Sequence, residues 1–71
     1  MKKTSPRFTT GSLVRGVQYA SEYIQHSMVG IVICESDRSN WWGDEYIRWY
    51  EILAENGKIV EEVEKYLEEV A

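Results

Sequence analysis

The sequence predicts a small, mainly β domain, and three observations carry that reading. Asn56-Gly57 stands between an aromatic segment, Asp44 to Ala54, and a β-branched segment, Lys58 to Val63. Such a pair supplies the positive-φ residues of a tight hairpin turn between antiparallel strands. Met28-Val29-Gly30-Ile31-Val32-Ile33-Cys34 is the most apolar run, and its length of seven with β-branched content reads as a buried strand. Three Trp, five Tyr and one Phe supply the bulk that a 71-residue core needs.

Residues 1–10 are polar, hold the only Pro and read as a flexible N-terminal arm, leaving 11–71 as a single domain. Thr9-Thr10-Gly11-Ser12 is turn-like and leads into a first strand, Leu13-Val14-Arg15-Gly16-Val17. Tyr19 to Ser27 shows no alternation and reads as a long loop with one helical turn. After the apolar run, Ser36 to Gly43 is rich in turn formers. Asp44 to Ile52 then reads as one long strand, with Tyr46, Arg48, Tyr50 and Ile52 on one face and Ile47, Trp49 and Glu51 on the other. Lys58 to Val63 follows the turn, and Leu67 to Val70 closes the chain.

A competing α+β arrangement, helix-strand-strand-helix, comes from two helically spaced series. Leu13, Val17, Ala20 and Ile24 form one; Ile59, Val63, Tyr66 and Val70 form the other. Gly16 inside the first costs about 1 kcal/mol relative to Ala, and Asn-Gly directly before Lys58 opposes the second.

The chain is acidic, with a formal net charge of −4, and the charge is uneven. Residues 1–31 carry Lys2, Lys3, Arg7 and Arg15 against Glu22, whereas eleven acids from Glu35 onward face Arg38, Arg48, Lys58 and Lys65. An acidic chain repels phosphate, which argues against nucleic acid as a general partner. No apolar run approaches the ~18–20 residues of a membrane span, and no apolar stretch follows Lys2-Lys3 as in a signal peptide. One unpaired cysteine suits a reducing compartment, so a cytoplasmic location is expected. Cys34 with His26 falls short of a zinc tetrad, and no cofactor is expected.

Gly11-Ser12-Leu13-Val14-Arg15, then Val29-Gly30-Ile31-Val32, then the Asn56-Gly57-Lys58-Ile59 turn, then Tyr66-Leu67-Glu68-Glu69-Val70 form an ordered set of short motifs. Over roughly residues 11–70 the set resembles the small Src-homology-3-like (SH3-like) barrels of tailed bacteriophages. The resemblance implies a five-stranded, partly open barrel in which Glu64-Lys65-Tyr66 is a short 3-10 turn before the last strand. It also implies a small phage protein acting in the infected host cytoplasm. A fainter likeness to the peptide-binding Src-homology-3 domains rests on Trp41-Trp42 after Glu35-Ser36-Asp37, and on Tyr66-Leu67-Glu68. Their Ala-Leu-Tyr-Asp-Tyr signature and the Pro before the Tyr66 segment are absent here, so proline-rich peptides are not the expected ligand.

Catalysis is not expected. His26 has no nucleophile partner at a recognisable spacing, and Cys34 lies in the apolar run, where a thiol is an inert small hydrophobe. In strands, Asp44-Glu45 and Glu61-Glu62 point to opposite faces. The acids Glu61, Glu62, Glu64, Glu68 and Glu69 read as a solvated face that blunts edge-to-edge association. Trp41-Trp42 is different, because two adjacent loop tryptophans are seldom both buried, and exposed Trp and Tyr make binding hot spots. Trp41 and Trp42 with Tyr19, Tyr23 and Tyr66 are therefore the candidate partner-binding residues, a shallow aromatic groove beside acidic loops. Its expected occupant is a host or phage protein with apolar and basic groups. Two other readings compete: a nucleic-acid-binding barrel using Lys2, Lys3, Arg7 and Arg15, and a structural virion component whose aromatics are buried in a homo-oligomer.

Overall fold

The computed structural model describes residues 3–16 and 29–70. The strands are β1 (Leu13–Gly16), β2 (Val29–Glu35), β3 (Asn40–Trp42), β4 (Glu45–Ile47), β5 (Trp49–Ala54), β6 (Ile59–Val63) and β7 (Leu67–Glu69), with a 3-10 turn at Glu64–Tyr66. Five of them form one antiparallel sheet in the order β6-β5-β2-β1-β7, and β3 and β4 form a separate two-stranded sheet. The mainly β expectation holds. Ile59 to Glu69 runs as strand, 3-10 turn and strand, so the C-terminal helix of the competing arrangement is excluded. Its N-terminal counterpart starts as β1, and residues 17–28, including Tyr19, Tyr23 and His26, lie outside the described residues.

Alternation sets the inner face of the sheet. Val14, Val32, Tyr50, Ile52 and Leu67 are buried there, with Val60 packed against them. Gly30 pairs with Ala54 on this face, and a Cβ at Gly30 would run into Ile52 Cγ2 and approach Leu53 O to 2.8 Å. Glycine is needed there for the close approach of β5. Phe8 completes the core at 4% exposure, its ring edge-on to Tyr50 at 5.5 Å. The polar N-terminal segment thus contributes a core residue, and Arg7 N donates to Glu64 Oε2 at 3.1 Å. On the outer face Leu13, Ile31, Leu53 and Ile59 stand in register across four strands, where neighbouring aliphatics stabilise the pairing.

Four local expectations are corrected. The Ala54–Lys58 hairpin is not a two-residue turn centred on Asn56-Gly57. Gly57 N donates to Ala54 O at 2.9 Å and Ala54 N to Lys58 O at 2.8 Å, with Gly57 at φ 84°. That is a β-turn followed by a left-handed glycine, the three-residue hairpin loop. The long strand from Asp44 to Ile52 is broken at Arg48 into β4 and β5. The stretch from Ser36 to Gly43 supplies β3 as well as a turn, because Asn40 to Trp42 pairs with Glu45 to Ile47. Finally, Cys34 is exposed rather than buried. A bulge between Val32 and Cys34 adds one residue to β2, so Cys34 pairs with outward-facing Glu51 and Glu35 with buried Tyr50. Partial desolvation and the carboxylates of Glu51 and Asp37 push the Cys34 thiol upward, away from thiolate reactivity.

Candidate functional site

The bulge has a direct consequence for the site. By shifting the phase of β2 it turns Glu35 toward the face that holds Arg48 and Tyr46. Glu35 Oε1 accepts from Arg48 Nε at 3.2 Å, and its Oε2 accepts from Tyr46 OH at 2.6 Å. The Tyr46 hydrogen bond, with help from Ser39 and Arg48, holds the Glu35 carboxyl below its ordinary range against partial desolvation.

Arg48 is the centre of this cluster. It sits at the break between β4 and β5, buried at 5% exposure, where the alternation of the strand calls for an apolar residue. A buried guanidinium must be paired to be tolerated. Its Nη2 donates to Thr4 O at 2.8 Å, its Nη1 lies 3.6 Å from Glu64 Oε2, and its guanidinium stands 5.2 Å from the Tyr46 ring centre. Glu64 Oε2 also accepts from Tyr50 OH at 2.5 Å. Burial, reinforced by the neighbouring Glu64, pushes the Tyr50 phenol up to about 12.

The hairpin of β3 and β4 rises from this base. Its tip is Gly43-Asp44, with Gly43 at φ 65° and Trp42 paired with Glu45. Trp41 is opposite Tyr46, and their rings meet edge-to-face at 5.4 Å. Alternation sends Trp42 to the other face, where it is 79% exposed; Trp41 is 40% exposed. Below the hairpin lies a cavity of about 300 Å³, lined by Thr4, by Asp44 to Arg48, and by Val63, Glu64 and Lys65. Asp44 and Glu45 line it together because Asp44 belongs to the turn and not to a strand.

Of the residues expected to bind a partner, Trp41 and Trp42 are thus presented on the hairpin. Tyr66 is half-buried on the 3-10 turn, with Lys65 Nζ 5.5 Å from its ring centre. Among the described residues, the ring contacts pair Trp41 with Tyr46 and Phe8 with Tyr50. Sequence reasoning missed Tyr46, Arg48, Glu35 and Glu64 as members of the site. One signal for them was present: Arg48 is the charged residue in the Tyr46, Arg48, Tyr50, Ile52 series.

Among the described residues no group of three or more His, Cys, Asp and Glu side chains is placed to hold a metal ion. No described helix is long and apolar enough to cross a membrane. Comparison with protein-family models, with curated proteins and with solved structures finds no match.

Proposed function

We propose that this chain is a non-catalytic protein-interaction module of phage origin, acting in the host cytoplasm and docking a host or phage protein through the hairpin and its acidic rim. The observation that carries the reading is the exposure of Trp41 and Trp42 on a hairpin separate from the main sheet. An indole 79% open to water buries little of its surface within the chain, and Trp is enriched at the centres of interfaces. Asp44 and Glu45 beside it favour a partner with basic groups.

The Src-homology-3-like barrel reading is supported by two features. The sheet order places the last strand beside the first, and a 3-10 turn precedes that last strand. The β3–β4 hairpin is then an insertion between the second and third barrel strands.

The test is affinity capture from host lysate and from phage-infected lysate, with wild type and a Trp41→Ala/Trp42→Ala variant compared at equal folded concentration. Trp42 is largely open to water but Trp41 packs on the Tyr46 ring, so Trp42→Ala alone and a circular-dichroism check of the double variant accompany the comparison. A specific protein recovered by wild type and depleted at least tenfold by the variant supports docking. Recovery that ignores the tryptophans removes it, and a retained nucleic acid whose binding falls steeply with salt would favour the nucleic-acid reading instead.

A further inference from the structure

Four exposed aliphatics lie in one row across the outer face of the main sheet. Ile59 pairs with Leu53, Leu53 with Ile31 and Ile31 with Leu13, and each is between 40 and 61% exposed. Val70 carries the row toward the fifth strand, since its N–H donates to Leu13 O at 2.9 Å. The four expose roughly 350 Å², within the range of the largest apolar patch on a monomer, which is often a functional surface. Such a row gains from any apolar surface that removes it from water.

Two properties of the row select its partner. The first is symmetry. In the order β6-β5-β2-β1-β7 the central strand is β2, so Ile31 is the midpoint of the row. A two-fold axis parallel to β2 exchanges β5 with β1 and β6 with β7. It sets Ile31 on Ile31 of a second copy, and Leu53 on Leu13 of that copy, an isologous contact of aliphatic on aliphatic. The second property is charge. Arg15 Nε lies 2.7 Å from Glu68 Oε1 on one side of the row, and Arg38 Nη1 lies 3.8 Å from Glu61 Oε1 on the other. Flanks neutralised within the chain give a strongly charged partner little to recognise, and they let two acidic chains approach along this face. We propose that the chain forms a reversible homodimer by packing outer face on outer face, with Ile31 on the two-fold axis. Sheets packed in this way lie about 10 Å apart with their strands about 30° from parallel, which centres the contact on Leu13, Ile31 and Leu53. With the flanking Val29, Arg15 and Cys34, each copy contributes roughly 600 Å², below the roughly 800 Å² of a standard interface, so the dissociation constant is expected on the order of 100 µM. This interface lies on the main sheet and goes beyond the docking reading, which uses the β3–β4 hairpin.

The experiment is sedimentation equilibrium of the full chain from about 10 µM to about 1 mM, a range that brackets the expected constant. Wild type is expected to pass from monomer to dimer. Ile31→Lys and Ile31→Glu, made at an exposed position and checked by circular dichroism, should each weaken association at least about tenfold, because two like charges then meet on the axis. An equimolar mixture of the two variants should restore the dimer, a rescue expected only of a residue that meets its own copy. Cys34 lies further along β2, close to the same axis, and serves as a reporter that leaves the row unaltered. A bismaleimide spanning about 10 Å should link two wild-type chains, and link none when Cys34→Ser is used. A monomer at every concentration overturns the proposal; if Ile31→Lys also lowers the urea midpoint of that monomer, the row belongs to a contact with the chain's own residues 17–28. A dimer indifferent to both Ile31 variants, a mixture that stays monomeric, or no Cys34 cross-link at dimer-forming concentrations overturns it as well. So does a dimer lost in Trp41→Ala/Trp42→Ala, which would move the interface to the hairpin. Failure of the lysate capture removes the docking reading and leaves this interface standing.

Discussion

Replacing Arg48 by Met is the sharpest stability test of the cluster, because Met keeps the length and apolar stem while removing every charged contact. Three interactions vanish: Nε to Glu35 at 3.2 Å, Nη2 to Thr4 O at 2.8 Å, and the ion pair with Glu64 at 3.6 Å. A hydrogen bond to a charged group contributes about 1.5–3 kcal/mol net. The Glu35 side chain is 35% exposed, so water recovers much of its share. Glu64 is worse off, since its side chain is 14% exposed and loses its counter-charge while keeping Tyr50 OH and Arg7 N as donors. The sum is about 3 kcal/mol, the lower end of what breaking one side of a buried pair costs.

That loss is large for this chain, because cores of this size supply only about 3–5 kcal/mol in total. Equilibrium urea unfolding, followed by the fluorescence of Trp49 and its neighbours, should show Arg48→Met with a collapsed or absent native baseline. Arg48→Met/Glu64→Gln should recover about 1 kcal/mol or more, since removing both charges is far cheaper than stranding one. The reasoning is refuted if the single variant costs less than 1 kcal/mol at unchanged slope. It is equally refuted if the double variant is no more stable than the single.

Two further outcomes follow from the same geometry. The Tyr50 phenol titrates near 12 in the folded chain and near 10 when unfolded, so between these values unfolding releases a proton and stability falls as pH rises. Tyr50→Phe should flatten that alkaline limb in urea melts from pH 9 to 12; an unchanged limb would assign it elsewhere. Gly30→Ala places a methyl group against Ile52 and 2.8 Å from Leu53 O, an overpacking that should cost about 1–3 kcal/mol by the same assay, and a neutral substitution would show that β2 and β5 are not in this register.

Where the sequence was legible, period-2 alternation made it so. The Tyr50 and Ile52 face follows from it, while β2 was legible from its apolar length and β-branched content and β6 from the Asn56-Gly57 turn before it. The misses share a cause, which is that one residue out of phase changes everything after it. The bulge in β2 adds no unusual residue type, yet it turns Cys34 outward and sets the half-exposed Glu35 toward Tyr46 and Arg48. The hairpin loop was located correctly, but its turn is centred one residue earlier because Glu55 joins the loop and Gly57 takes the left-handed position alone. Phe8 escaped because a single aromatic in a polar segment has no periodicity to report, and only the three-dimensional closure of the core over Tyr50 gives it a place.

The break at Arg48 links these local departures to function. A strand running straight from Asp44 to Ile52 would have laid the aromatic segment flat along the sheet. Instead the chain turns at Arg48, and the hairpin is held at its base by several bonds that the sheet does not make. Tyr46 OH reaches Glu35 at 2.6 Å, Trp49 N donates to Ser39 Oγ at 2.8 Å, and Ser36 N donates to Trp49 O at 2.8 Å. Arg38 stacks over the Trp49 ring at 4.2 Å and closes the same base from outside. An exposed tryptophan pair on a loose loop would lose ordering entropy on every encounter. Fixed at its base, the pair avoids much of that cost; under the docking proposal, affinity for a partner depends on the indoles and the acidic rim more than on ordering the hairpin.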